Sequence, residues 1–436
     1  MTLSPGLFDA SMSNTSSDTE VRLPIAHKPS SGTGGERAVP VMPLLHLRHL
    51  WARRAALPYP FGEPGVTTWY NGRAAIWQGL KALGIGPGAR VIAPAYTCGS
   101  ELDVLVQAGL HLDYFRIGEG LAADLEDLRR LCEVPAAAIF VTHYYGFPQP
   151  MREIAALARE RGMLLIEDAS HALYSATQDG LPLGSFGDMA VFSLWKSVAI
   201  PDGGVLRLNP ARIVVPVPSR GEKPGLAAVA GRLRHMFEET VATVHPMAVR
   251  ALRKRVTDPL IAWLRSRLAS PTPADRAPLG GAAGMPAEAA QIAFRPERRA
   301  WRMTELSRYL LTRLAGDAIR AQRRSNYQRL HENLLPGAAA KPLLSHVPPH
   351  CCPLFYPLVA REPRAFCRFL SSRNVGFFRG WCVFHPHVEW GRFRFESELK
   401  EHVVVIPVHQ GLSAADILQI AAAVNDWNAD AARLVA

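Results

Sequence analysis

From Trp69 to Asn209 the chain alternates short, uninterrupted apolar runs with amphipathic segments, and that rhythm leaves few folds open. The stretch "NGRAAIWQGLKALGIGPG" spaces its apolar residues three and four apart and stops on Gly and Pro, as a helix does. "RVIAPAY" then reads as a short buried strand, "GSELDVLVQAG" as a helix and "LHLDYFRI" as a strand. A helix over about 123–132, the strand "AAAIFVTHYYG", a helix over 151–161 and the strands "MLLIEDAS", "MAVFSLW" and "GGVLRLN" complete the series. Strands without polar alternation must be covered on both faces, so the pattern predicts an α/β domain with a mostly parallel sheet. In such sheets ligands bind at the carboxyl ends of the strands.

The remainder of the 436 residues is organised around this core. Residues 1–40, with "SMSNTSSDTE" and "KPSSGTGGERAVP", are too poor in apolar residues to order themselves, which predicts a disordered tail followed by the large domain over 41–210. Residues 211–295 break the alternation with a basic, helix-prone insertion. Between 211 and 300 stand 15 Arg and Lys against 7 Asp and Glu, so most of the net charge of +11 belongs to this segment. Runs such as "VRALRKRVTDPLIAWLRSRL" can set Leu, Val, Ile and Trp on one side and Arg on the other. That suits peripheral docking on an anionic membrane or a partner protein, and it suits a solvated insertion as well. Nucleic acid is not indicated, because neither aromatic interleaving nor a reader motif accompanies the charge. Residues 296–436 follow as a long helix over 303–333 and a small α+β domain that closes on a helix over 413–428.

Hydrophobic content of 48% supports sizeable cores. The six cysteines show neither a CxxC pair nor metal-ligand spacing, so no metal is expected and a reducing cytoplasm fits best. No apolar run is long enough for a transmembrane helix, and residues 1–20 lack the order of a signal peptide.

Lysine is scarce here: seven of the 49 basic residues, with Lys196 the only one between Lys81 and Lys223. It sits in "VFSLWKSVAIPDGG", between an apolar strand and a glycine turn. An amine can lose its proton and attack a carbonyl, which a guanidinium cannot do; a solvated lysine past a strand end is the plainer reading. "LLIEDASHAL" ends a strand on Asp168 with His171 three residues on. A carboxylate there either holds a heterocyclic nitrogen protonated or caps a helix. "WYNGRAAIW" sets Asn71, Gly72 and Arg73 before a helix whose free N–H groups suit a phosphate, and Ser193 offers a hydroxyl at another strand end.

In sequence order these pieces run from the phosphate-type turn through "PAYTCGS", "HYYG", "EDASHA" and "GSFGDMAVFSLWK" to "DGG". The succession resembles the DegT/DnrJ/EryC1/StrS family of pyridoxal-phosphate aminotransferases, closely over about 67–209 and more loosely over 296–430 through "WRMTEL", "FYPLVA" and "VIPVHQGLS". The resemblance implies fold type I, with a large mostly parallel-sheet domain and a smaller C-terminal α+β domain. It implies pyridoxal 5'-phosphate as cofactor and transfer of an amino group from glutamate or glutamine to a keto-sugar, nucleotide-linked in most of the family, or a related ketone. The small-molecule donor and acceptor would be served by a homodimer with shared active sites.

By the same resemblance Lys196 carries the cofactor covalently and shuttles protons, Asp168 pairs with the pyridine nitrogen, and His171 lies near the ring 3-hydroxyl. Gly72, Arg73, Ala74 and Ser193 hold the phosphate. Several positions depart from the family pattern. Cys98 stands where an aromatic ring usually stacks on the cofactor, with Tyr96 a candidate substitute; Arg73 replaces a Thr; two residues rather than four separate Ser193 from the lysine. "RRAWRM" replaces "GYNYRM", with Ala300 for Asn and Arg302 left to reach a neighbour's site. His143, Tyr145, His385, His387 and His409 fall in loops that could line the pocket. The rival readings are a cofactor-binding regulatory or scaffold protein without turnover, and another pyridoxal-phosphate reaction on an amino acid.

Overall fold

The computed structural model describes residues 26–27, 38–46, 51, 53–54, 56–218, 221–225, 228–233, 236, 294–314 and 316–435. Its strands are β1 (Ala26–His27), β2 (Val66–Trp69), β3 (Arg90–Pro94), β4 (His111–Phe115), β5 (Ala138–Thr142), β6 (Leu164–Asp168), β7 (Met189–Ser193), β8 (Gly204–Leu208), β9 (Ala340–Pro342), β10 (Phe355–Ala360), β11 (Phe377–Arg379) and β12 (Val403–Pro407). The helices used below are α1 (Gly72–Ala82), α2 (Ser100–Gln107), α3 (Leu125–Leu131), α4 (Met151–Glu160), α5 (Leu194–Ser197), α6 (Glu305–Leu311), α7 (Gly316–Asn333), α8 (Pro363–Ser372), α9 (Arg394–His402) and α10 (Ala414–Val435).

Seven strands form one sheet in the order β2-β8-β7-β6-β5-β3-β4. Strand β8 alone runs against its neighbours, and the pairs among β7, β6, β5, β3 and β4 are parallel. Every residue of β5 and β7 is buried. The two-residue period of a strand explains how one apolar run serves both faces. Val191 packs with Ala74, Leu80 and Leu102 from α1 and α2, whereas its neighbours Ala190 and Phe192 pack with Leu310, Leu311 and Ile319 from α6 and α7. Burying each large apolar side chain in this way contributes about 1.5–3 kcal/mol.

The second sheet is antiparallel throughout, in the order β1-β11-β12-β10-β9. Leu358, Val404 and Ile406 of this sheet share one apolar core with Ile154 of α4 and with Tyr144 and Phe147 after β5, so the small unit closes directly over the large sheet.

Three boundaries differ from the sequence reading. The single helix expected over 303–333 is two, α6 and α7. Thr304 caps the first, and the second starts at Gly316, where a Cβ would lie 2.6 Å from Pro58 and 2.9 Å from Tyr174; the chain turns where only glycine clears its neighbours. The last helix runs to Val435 rather than 428. The tail boundary at residue 40 falls too late: Ala26 and His27 pair with Phe378 and Phe377, and fully buried Val39 bridges Val375. Outside 26–27 and 38–40, the 1–40 tail lies outside the described residues, as does most of the 211–295 insertion, including the amphipathic run quoted above. Among those described, no helix is long and apolar enough to cross a membrane.

Candidate active site

The carboxyl ends of β3, β5, β6 and β7 face the same edge of the sheet, beside the start of α1. They line a cavity of about 220 Å³, far beyond the roughly 10–15 Å³ that one water needs. Its walls include Gly72, Arg73, Cys98, Asp168, His171, Ser193 and Lys196.

At the start of α1, the Oδ1 of Asn71 accepts the N–H of Ala74 at 2.9 Å and caps the helix. Strand β8 begins against this turn. A Cβ on Gly204 would stand 2.2 Å from the Asn71 carbonyl, which gives the second glycine of "DGG" a steric reason. The acid before it, Asp202, works elsewhere: its carboxylate accepts the N–H and hydroxyl of Thr304 at 2.9 and 2.6 Å and anchors α6.

Strand β6 delivers Asp168, and no helix begins there. Its Oδ1 accepts the N–H of Ser170 at 2.9 Å in a tight turn. Burial pushes its carboxyl above the ordinary range and Glu101 pushes it further, while Lys196 and the bonds from Ser170 pull it down. A cation supplied beside this carboxylate would restore its charge. His171 is buried, and burial with the Lys196 charge holds its imidazole well below the ordinary value, so the ring is neutral at neutral pH. Its Nδ1, and the hydroxyl of Thr142, are buried on the cavity with no hydrogen-bond partner among the described residues. Orphaned buried polar atoms are uncommon and mark places where a ligand supplies the missing partner.

Lys196 lies in the single turn α5, half-buried, directly after β7. The turn is held from both sides. Leu194 donates its N–H to Gly203 O at 2.9 Å, and the carbonyl of Ser197 accepts Arg323 Nη2 at 3.0 Å and Gln410 Nε2 at 3.1 Å. Arg323 is fully buried on α7 and also donates to the carbonyls of Pro353 and Leu354.

Burial lowers the pKa of half-buried Arg73, and although Cys98 acts to raise it, the nearby Arg232 and Arg298 lower it further. The thiol of Cys98 is pushed up to about 12 by burial and by Glu101. It therefore stays protonated and donates to Glu101 Oε2 at 2.7 Å. Arg232, from the described part of the basic insertion, lines the cavity with its guanidinium 5.2 Å from the Trp195 ring centre. That part of the insertion is a wall of the site and not only an outer surface.

Other expected site residues are placed elsewhere. The N–H of Ala74 is spent on the Asn71 cap, so it is not free to bind a phosphate. Arg302 lines a separate pocket with Thr67, Trp69 and Arg308, its Nη2 3.8 Å from Glu305. Tyr96 is buried behind the wall with its hydroxyl 3.0 Å from that of Tyr145, so it does not replace the ring missing at Cys98. His143 bonds Glu167, itself held by the N–H groups of Gly184 and Gly187. His409 bonds Pro40 O, and the rings of His385 and His387 lie tilted against each other with centres 5.6 Å apart. None of these histidines, nor Tyr145, lines the cavity.

Besides Arg232, the sequence reading missed Glu101, Thr142, Trp381 and Arg323. Glu101 had a local signal, since its Oε1 accepts the N–H of Cys98 at 3.0 Å in the box that an acid three residues on permits. Trp381 had none, being carried in by the small unit, where its ring packs 5.2 Å from His171.

A neutral imidazole with a free nitrogen, a buried carboxylate awaiting a cation, a lysine, and a helix start flanked by arginine match the 3-hydroxyl, ring nitrogen, aldehyde and phosphate of pyridoxal phosphate. The sheet order, its one reversed strand and the antiparallel unit above it constitute the fold type I architecture of pyridoxal-phosphate-dependent transferases. Residues 59–214, about a third of the chain, are similar to the DegT/DnrJ/EryC1/StrS aminotransferase family. GDP-perosamine synthase of Vibrio cholerae is 33% identical over 147 residues, which cover 33% of this chain and 40% of that one. The spore coat polysaccharide biosynthesis protein SpsC of Bacillus subtilis (strain 168) is 33% identical over 136 residues, covering 30% and 35%. These matches therefore span well under half the length of the curated relatives. Among solved structures, Spr1654 of Streptococcus pneumoniae, named as a sugar aminotransferase and determined in a PMP form, superposes with a TM-score of 0.60 at 13% identity over 91% of this chain and 99% of its own.

Proposed function

We propose that this protein is a pyridoxal-phosphate-dependent aminotransferase that moves an amino group from glutamate or glutamine to a keto-sugar, nucleotide-linked, or a related ketone. The observation that carries the reading is the meeting of Lys196, Asp168 and the partnerless Nδ1 of His171 on one cavity at neighbouring strand ends. The names of the relatives, a perosamine synthase and a spore-coat polysaccharide protein, support a sugar acceptor.

When bound, the cofactor supplies an electron sink conjugated to the substrate nitrogen. Asp168 keeps its ring nitrogen protonated, and the cation relieves the cost of burying the carboxylate. The neutral His171 offers Nδ1 to the ring hydroxyl. Gly72, Arg73 and Ser193 hold the phosphate, with Arg73 giving charge-assisted hydrogen bonds. Lys196 Nζ binds the cofactor at rest, then takes and returns the proton that moves at the nitrogen-bearing carbon. The chain acts as a homodimer with shared sites, which leaves Arg302, away from its own cavity, to serve the partner's. Its six free cysteines suit a reducing cytoplasm.

The test is the visible absorption of the protein with pyridoxal phosphate, before and after L-glutamate, with borohydride trapping and peptide mapping. Trapped cofactor on Lys196 and a spectral change with glutamate are expected. Trapping without any response to an amino donor would favour the regulatory reading, and no trapping would leave only the fold.

A further inference from the structure

Lys400, on α9, is the only fully buried lysine among the described residues. Its Nζ donates to Thr97 O at 2.7 Å, Trp381 O at 2.8 Å and Val383 O at 2.8 Å, and it lies 4.9 Å from the Trp390 ring centre. All three donors of the ammonium are thereby used. No carboxylate pairs with it among the described residues, and burying an unpaired cation is costly. Leucine or methionine would fill the same space without that cost, so what the amine adds is its grip on three carbonyls.

Those carbonyls come from two parts of the fold. Thr97 belongs to the turn after β3 that carries Cys98 to the cavity; Trp381 and Val383 follow β11 in the small unit. The Trp381 ring lines the cavity and packs against His171 at 5.2 Å, Tyr96 at 5.0 Å and Tyr144 at 5.3 Å. The other indole on the cavity, Trp195, is already covered by Arg232. Cys98 offers a thiol and the imidazole of His171 is the smaller ring, which leaves Trp381 as the large uncovered aromatic surface among the described lining residues.

We propose that Lys400 is a positioning residue for the cofactor pocket: by gathering the carbonyls of Thr97, Trp381 and Val383 on one ammonium, it fixes Trp381 as the aromatic wall for the pyridine ring. This rests on the aminotransferase reading above.

The experiment titrates the full chain with pyridoxal phosphate while following tryptophan emission, with Trp381→Phe identifying the share owed to Trp381. In the wild type the cofactor quenches that share. Lys400→Met should bind the cofactor about tenfold more weakly, with Trp381 emission shifted to the red and no longer quenched. If Lys400→Met folds and keeps both affinity and quenching, the positioning role is overturned. Should that variant fail to fold, Trp381→Leu decides, because Lys400 keeps its carbonyls: a loss of about tenfold in affinity supports the wall, and unchanged affinity overturns it. A wild type that binds no cofactor would remove the aminotransferase reading and this inference with it. Normal wild-type binding with unaffected variants would remove this inference alone.

Discussion

One lysine lines the cavity and another lies behind its wall, and they are held in opposite ways. Lys196 is half-buried on the turn after β7, where backbone bonds fix the turn and leave the amine facing the cavity. Lys400 is fully buried, and its amine is consumed by three carbonyls while α9 carries its backbone. A reactive amine needs a rigid support and an unspent nitrogen; a clamp needs every donor engaged. Residue type alone does not separate the two tasks, since the difference lies in what surrounds each nitrogen.

The comparison is broken most severely at Lys196. Lys196→Ala should abolish amino transfer while the circular dichroism spectrum stays unchanged, and a variant that still turned over would assign the reactive amine elsewhere. Asp168→Asn comes next, because the proposed function pairs this buried carboxylate, whose pKa burial already raises, with the ring nitrogen of the cofactor. Retained cofactor with most of the activity lost is expected from steady-state rates, and an unaffected rate would reduce Asp168 to its Ser170 turn.

Arg323→Leu probes the support under Lys196. It strips donors from the carbonyls of Ser197, Pro353 and Leu354. Urea unfolding should show a loss of about 3 kcal/mol, and a change below about 1 kcal/mol would mean that water replaces the guanidinium.

The smallest effect sharpens the description of Lys400. Burial lowers its pKa from 10.5 to about 8, against the pull of Cys98, Glu101 and Cys382. Between those values the unfolded chain holds a proton that the folded chain has released, so stability from this group rises with pH across that window. Below it, the full cost of burying the charge is carried. The stability of wild type relative to Lys400→Met should therefore improve from pH 7 to pH 10, and a flat difference would show that the amine is not desolvated as described.

Much of the large sheet was legible because its strands are covered on both faces and its ligand-side residues sit at strand ends. Asp168, His171, Ser193 and Lys196 each follow an apolar run, and the run announces them. Arg302 and Ala74 were less tractable: a motif names a position, while the direction of a side chain or the fate of an amide depends on its neighbours. The amide of Ala74 was claimed by Asn71, three residues away, and a capping argument would have shown it.

The sequence by itself determined the alternation of strands and helices, the edge of the sheet on which chemistry gathers, and the lysine, carboxylate and histidine found there. Those follow from local periodicity and from the geometry of parallel strands. Only the tertiary structure decided that Trp381 forms a wall, that Arg323 on α7 braces the turn of Lys196, that Arg232 returns from the insertion to the cavity, and that Lys400 is spent on carbonyls. Each of these joins residues far apart in the chain. Such pairings are fixed by which buried donors and acceptors must satisfy one another once two sheets share a core, and no short stretch of sequence contains both partners.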